Sequence, residues 1–220
     1  MNKLISIIIP CKNGSNYIKE ALDAIKGQNM NVEIIVVDDG SVDNTSDIAK
    51  TYGCKVLRKE KSEGPVKAKN DALKIASGDF ILFHDHDDIM TKGALQKLYD
   101  EFEPDIMAVQ AKVKDFISPE VSKEEANKTV IKAEPYYGLF TGAILIRKKV
   151  FDTIGDFDDS VTAGEIIDWQ GKMDKNNLKI KKIDFISTSR RLHSTNFGKT
   201  QQKTEFKDYA ALLRTRIKPH

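Results

Sequence analysis

The 220-residue chain is poor in cysteine, has one tryptophan and is nearly balanced in charge. Cys11 and Cys54 form neither a disulfide framework nor a metal-ligand spacing, and each reads as a buried or half-buried thiol in a reducing cytoplasm. The apolar run Leu4–Ile9 is far too short to span a membrane or serve as a secretory core, so a cytoplasmic location is expected. With 35 Lys and Arg against 33 Asp and Glu, the formal charge of +2 gives no strong attraction to nucleic acid, and none is expected as a partner. No Gly-x-Gly-x-x-Gly follows the first apolar run, which argues against a dinucleotide cofactor. No phosphate-binding Gly-Lys-Ser/Thr loop occurs either, which argues against a P-loop nucleotidase. No internal repeat or low-complexity segment stands out.

What is present is alternation. Short β-branched or apolar runs at 4–9, 32–37, 55–57, 80–83 and 106–109 alternate with helical patterns at 16–26, 44–52, from Gly64 onward, and 91–103. Strand following helix at this spacing predicts one α/β domain with a mainly parallel sheet. Beyond Lys112 the pattern loosens. Residues 115–133 read as a polar, lysine-rich excursion or lid, followed by a strand at 143–147, helices at 148–154 and 165–176, and a strand at 179–184. The end of the chain, 201–216, reads as a further helix.

Three strand ends carry polar clusters: Cys11-Lys12-Asn13, Asp38-Asp39-Gly40-Ser41 and Asp85-His86-Asp87-Asp88. One acidic pair after a strand is usually a turn or a helix cap. Three such clusters at one rim of one sheet point instead to a ligand site, because open α/β sheets bind ligands beyond the carboxyl ends of their strands. Three carboxylates within four residues repel, and either a solvated loop that caps the next helix or a divalent cation would offset them.

The segments ISIIIPCKNGSNYIKEAL, EIIVVDDGSVDNT, GPVKAKNDALKIASGDFILFHDHDD and TGAILIRKKVFDTIGDFDD resemble, in order and spacing, the family 2 glycosyltransferases. The resemblance runs from about Ile5 to Asn196. It implies a GT-A fold, a Rossmann-like mainly parallel sheet flanked by helices in a single domain, and an inverting transfer from a nucleotide sugar, typically a UDP-sugar. It divides the chain into a nucleotide-sugar-binding half at 1–110, an acceptor and catalytic half at 111–200, and a C-terminal helix and basic tail at 201–220.

The chemistry of that reaction accounts for the acids, since a divalent cation, Mn²⁺ or Mg²⁺, neutralises the departing diphosphate. By the resemblance Asp87 is the direct metal ligand, and Asp85 lies near the ribose or a metal-bound water. His193, within an Arg-x-x-His-x-x-Asn stretch, completes the metal shell or contacts the diphosphate. Asp39 accepts from the base, Asp38 is structural or near the ribose, and Pro10 and Lys12 line the base. Lys69 is placed near the phosphates or ribose, although a solvated helical lysine would look the same. Arg190 and Arg191 are phosphate candidates, and Gly138 and Gly142 flank the glycine-containing segment under the donor sugar. Tyr136 and Tyr137 are acceptor-side candidates.

Relatives commonly carry Gly-Glu-Asp at the base position, whereas this chain has Gly164-Glu165-Ile166. Ile166 has no proton acceptor, which leaves Glu165, Asp168 or a catalytically weak site. The acceptor class is open among glycans, lipid-linked sugars, peptides and small molecules. The basic end of the chain, Arg214–His220, is a candidate for peripheral contact with an anionic membrane. Two other readings stand beside transfer: a metal-dependent nucleotidyltransferase or phosphohydrolase, and a nucleotide-sugar-binding module whose base has lapsed.

Overall fold

The computed structural model describes residues 3–138, 141–161 and 164–196. In chain order it contains β1 (Ile5–Cys11), α1 (Ile18–Lys26), β2 (Val32–Asp38), α2 (Thr45–Thr51), β3 (Lys55–Arg58), α3 (Pro65–Leu73), β4 (Phe80–Phe83) and β5 (Ile89–Met90). These are followed by α4 (Ala94–Asp100), β6 (Ile106–Ile117), α5 (Lys123–Lys128), a 3-10 turn (Thr141–Ala143), β7 (Ile144–Arg147), α6 (Lys149–Ile154), α7 (Glu165–Lys175) and β8 (Lys179–Leu192). The strands form one eight-stranded mixed sheet in the order β3-β2-β1-β4-β7-β6-β8-β5. The first four neighbours run parallel, β7 is antiparallel to both β4 and β6, and β8 is parallel to β6.

Strand periodicity explains the two apolar layers. Ile5, Ile7, Ile9 and Cys11 face one layer with α1 and α4, whereas Ile8 faces the other with α3, α6 and α7. Phe80 and Leu82 likewise oppose Ile81 and Phe83 across β4. A strand covered on both faces must be apolar throughout, which is why these runs show no hydrophilic face.

Several boundaries differ from the sequence-based expectation. Helix α1 begins at Ile18 after Tyr17, because the Ser15 amide is held by Asp43 Oδ2 at 3.0 Å. Strand β6 continues into the excursion as far as Ile117, and α5, capped by Ser122, follows. Strand β8 continues past Asp184 to Leu192, pairing with β6 through Ile117 and with the unanticipated β5. Its polar second half hides this continuation, since Ser187, Thr188 and Arg191 are buried polar residues. The expected helix at 201–216 and the basic tail lie outside the described residues.

The amino-terminal edge of the sheet is tied by one carboxylate. Glu33 Oε1 accepts from Ser6 Oγ at 2.5 Å, the Ser77 amide at 2.6 Å and the Gly78 amide at 3.1 Å, while Oε2 meets Lys55 Nζ at 2.6 Å. Burial alone would raise this carboxyl, but the Lys55 and serine hydrogen bonds outweigh it and hold its pKa at about 2 against an ordinary 4.5. A depressed carboxyl pKa contributes stability that is complete above the unfolded value and disappears as pH falls through the folded one. Glu33→Gln is therefore expected to destabilise the protein at pH 7, with the difference from wild type shrinking between pH 4.5 and pH 2. Urea unfolding across that range tests this; a pH-independent difference would contradict it.

Candidate active site

Because β1, β2 and β4 are parallel, their carboxyl ends reach one rim together. The Asp39 amide donates to Cys11 O at 2.8 Å and the His84 amide to Ile8 O at 2.9 Å, which places the three polar clusters side by side. The loop after β1 is stitched to the loop after β2. The Asn13 amide donates to Ser41 Oγ and the Gly14 amide to Thr45 Oγ1, each at 2.8 Å. A Cβ on Gly14 would lie 2.3 Å from Cys11 Sγ and 2.4 Å from His86 Cδ2, so only glycine lets the His86 ring pack here.

The two acids after β2 are used differently. Asp38 is fully buried; its Oδ1 accepts from the Ser41 amide at 2.8 Å and its Oδ2 from the Ser46 hydroxyl. Asp39 gathers the 62–64 loop: Oδ1 accepts from the Glu63 amide at 2.8 Å, and Oδ2 from Ser62 Oγ at 2.6 Å and the Gly64 amide at 2.9 Å. Gly64, at φ 96°, opens α3 with Pro65 behind it. Pro10 is buried on β1 and Lys12 is exposed on the following loop.

The acidic loop after β4 meets the end of β8. His193 Nε2 lies 2.8 Å from Asp87 Oδ2, and Asn196 Nδ2 donates to the same oxygen at 3.2 Å. The other ring nitrogen of His193 lies 2.9 Å from Thr195 Oγ1, and its ring packs on Tyr17 at a centroid distance of 4.6 Å. Burial would push the Asp87 carboxyl up, but the His193 hydrogen bond and neighbouring imidazoles outweigh it and bring the pKa to about 2. Asp88 behaves oppositely: burial, then Asp85 and Asp87, push it well above the usual carboxylate range. His84 is fully buried, with its pKa lowered chiefly by burial, and its Nε2 lies 3.2 Å from Asp88 O.

Asp87 and His193 thus converge, while Asp85, half-buried on the same loop, is not brought in as a third ligand. Among the described residues no three His, Cys, Asp or Glu converge on one point. A carboxylate and an imidazole aimed at each other nevertheless fit Mn²⁺ or Mg²⁺, which fill their remaining positions with water and phosphate oxygens.

Arg190 Nη1 lies 3.4 Å from Tyr136 Oη and 3.9 Å from Asp115 Oδ1. Arg191, a phosphate candidate in the sequence, is instead buried, with its guanidinium engaged within the chain. Gly142 sits in the buried 3-10 turn, its carbonyl accepting from Thr188 Oγ1 at 3.0 Å. The Gly138 carbonyl accepts from Gln110 Nε2 at 3.0 Å.

On the far side, Lys69 Nζ is 2.5 Å from Glu165 Oε1, and both side chains are buried. A lysine on the inward face of α3 needs a counter-charge, and the first turn of α7 supplies it. Ile166 is fully buried in the apolar layer beneath. Asp168, more exposed, has its Oδ2 2.9 Å from Lys172 Nζ. Sequence reasoning missed the Lys69–Glu165 pair because no local signal links residues 96 positions apart.

The mostly parallel sheet flanked by helices is the GT-A architecture. The family model "Glycosyl transferase family 2" matches residues 6–158, and the chain belongs to this family. It is 36% identical over 107 residues to glycosyltransferase GlyG of Streptococcus pneumoniae, covering 46% of this chain and 36% of that one. The structure of S. aureus TarS 1–349 in complex with UDP-GlcNAc superposes with a TM-score of 0.69 at 25% identity, covering 87% of this chain and 59% of that one. Mannosyltransferase PcManGT from Pyrobaculum calidifontis, in complex with GDP-Man and Mn²⁺, shares the fold at a TM-score of 0.76 and 16% identity, covering 100% and 66% of the two chains. The chain therefore spans a little over a third of the length of GlyG.

The Lys69–Glu165 pair gives a stability prediction independent of activity. Lys69→Met strands a buried carboxylate and is expected to cost about 3–5 kcal/mol. Adding Glu165→Gln should recover a large part of that loss in urea unfolding; strictly additive losses would show that the pair is not coupled.

Proposed function

We propose that this chain transfers a sugar from a nucleotide sugar, a UDP-sugar in the first instance, to an acceptor hydroxyl with inversion, using Mn²⁺ or Mg²⁺. The observation that carries the reading is the Asp87–His193 contact at the strand rim, between residues 106 apart in sequence. Family membership and the UDP-GlcNAc complex of TarS support the donor class. No described helix is long and apolar enough to cross a membrane.

Asp87 and His193 would hold the cation, which when bound supplies charge neutralisation at the departing diphosphate. Asp39 presents its carboxylate to an N–H of the base, sharing it with the 62–64 loop. Pro10 and Lys12 flank that position, and Asp38 fixes the turn from beneath. Asp85 and Arg190 reach the ribose or diphosphate, and the turn at Gly142 lies under the sugar. Glu165 takes the acceptor proton, its carboxylate oriented by Lys69 through Oε1. Asp168, three residues further along α7, is the alternative base.

The burial of Ile166 and the commitment of Glu165 to Lys69 favour a second reading, a binding module without turnover. Calorimetric titration of UDP with and without Mn²⁺ separates the cases. Binding is expected to require the metal and to be lost in Asp87→Ala. Turnover of a UDP-sugar should fall by about a hundredfold or more in Glu165→Gln with binding retained. A loss in Asp168→Asn alone would move the base, and metal-dependent binding with no wild-type turnover would support the module. UDP binding that ignores both metal and Asp87 would overturn the site.

A further inference from the structure

Arg191 ties the acidic loop to three other parts of the fold. Its amide donates to Asp88 Oδ1 at 2.9 Å, its Nε to the Asp87 carbonyl at 2.8 Å and its Nη1 to Ser118 Oγ at 3.0 Å. Its Nη2 pairs with Glu20 on α1. The guanidinium carbon lies 5.1 Å from the Tyr17 ring centroid and 4.8 Å from that of Phe116. Its side chain is only 5% exposed.

These contacts join four parts of the chain: α1, the acidic loop, the end of β6 and the end of β8. Two of them fall on the backbone or side chain of Asp87 and Asp88 themselves. Tyr17, against which Arg191 packs, also packs against His193. The fork of a guanidinium meets three acceptors in fixed directions and stacks on aromatic faces, which an ammonium does not reproduce.

We infer that Arg191 is the positioning residue of the metal-binding pair: it fixes the Asp87 main chain so that the Asp87 carboxylate and the His193 imidazole face a common point. The inference rests on the reading of Asp87 and His193 as metal ligands. It gives Arg191 a role other than phosphate contact, since each of its three guanidinium nitrogens already donates within the chain, to Ser118, Glu20 and the Asp87 carbonyl. Arg190, the neighbouring residue on the opposite face of β8, is left as the arginine nearer the substrate side.

The test is an electron paramagnetic resonance titration of Mn²⁺ into the full chain with UDP present, on variants whose folded fraction has been established by thermal unfolding. Folded Arg191→Lys is expected to bind Mn²⁺ about tenfold or more weakly. Its kcat should recover at high Mn²⁺, so that the defect lies in metal affinity. Glu20→Gln, at a side chain 57% exposed, keeps the fold and should weaken Mn²⁺ binding by about twofold to fivefold. A merely structural role would lower the melting temperature without moving the Mn²⁺ affinity of the folded protein. Affinity within about twofold of wild type in folded Arg191→Lys would overturn the inference. If that variant does not fold, unchanged affinity in both Glu20→Gln and Ser118→Ala would overturn it. Wild type that fails to bind Mn²⁺ would overturn the metal reading along with it, whereas wild-type binding with unaffected variants would overturn this inference alone.

Discussion

Charge crowding after β4 is the constraint on which the rim depends. Asp85, Asp87 and Asp88 leave the sheet within four residues, and the chain answers each acid differently. Asp88 is buried, and burial pushes its proton affinity up. Asp87 is met by His193 and Asn196, while Asp85 is left half-buried at the rim. Long β8 is what makes this possible: only a strand running from Lys179 to Leu192 brings the arginine, histidine and asparagine back to a loop laid down a hundred residues earlier.

The first half of the fold was legible because its signals are local. Apolar runs bounded by Gly, Pro and acids mark β1, β2 and β4, and parallel connection then forces their polar ends to one rim. The later strands were less legible for a physical reason. Beyond Asp184, β8 buries Ser187, Thr188 and Arg191, and Thr188 bonds to Gly142 while Arg191 bonds to Ser118 and the acidic loop instead of forming an apolar stripe. A buried polar strand has no hydrophobic periodicity to read.

The same limit applies to the site. The family resemblance singles out Asp87 and His193, and the structure brings them to 2.8 Å. The resemblance placed Lys69 near the phosphates or ribose, with a solvated helical lysine as the other reading, and made Arg191 a candidate for phosphate contact. Each proves to be neutralised within the chain, Lys69 by Glu165 and Arg191 by Glu20. Burial explains the pairing: a cation with so little exposure needs a counter-charge within the fold.

Ile166 stands where the family resemblance led to an expected aspartate, and its packing shows what isoleucine does there. An aspartate there would place a carboxylate in the apolar layer formed with Val66, Ala68, Phe83 and Trp169, where a charge is costly unless paired. Isoleucine removes that cost and leaves the polar work of the first turn of α7 to Glu165, already paired with Lys69, and to Asp168 beside Lys172. A base held by an ammonium is well oriented, but the oxygen that the ammonium holds is already occupied. Turnover through Glu165 therefore requires the acceptor or the departing diphosphate to weaken the Lys69 contact. With Glu165 as the proposed base, the acceptor hydroxyl and the Lys69 ammonium compete for one carboxylate.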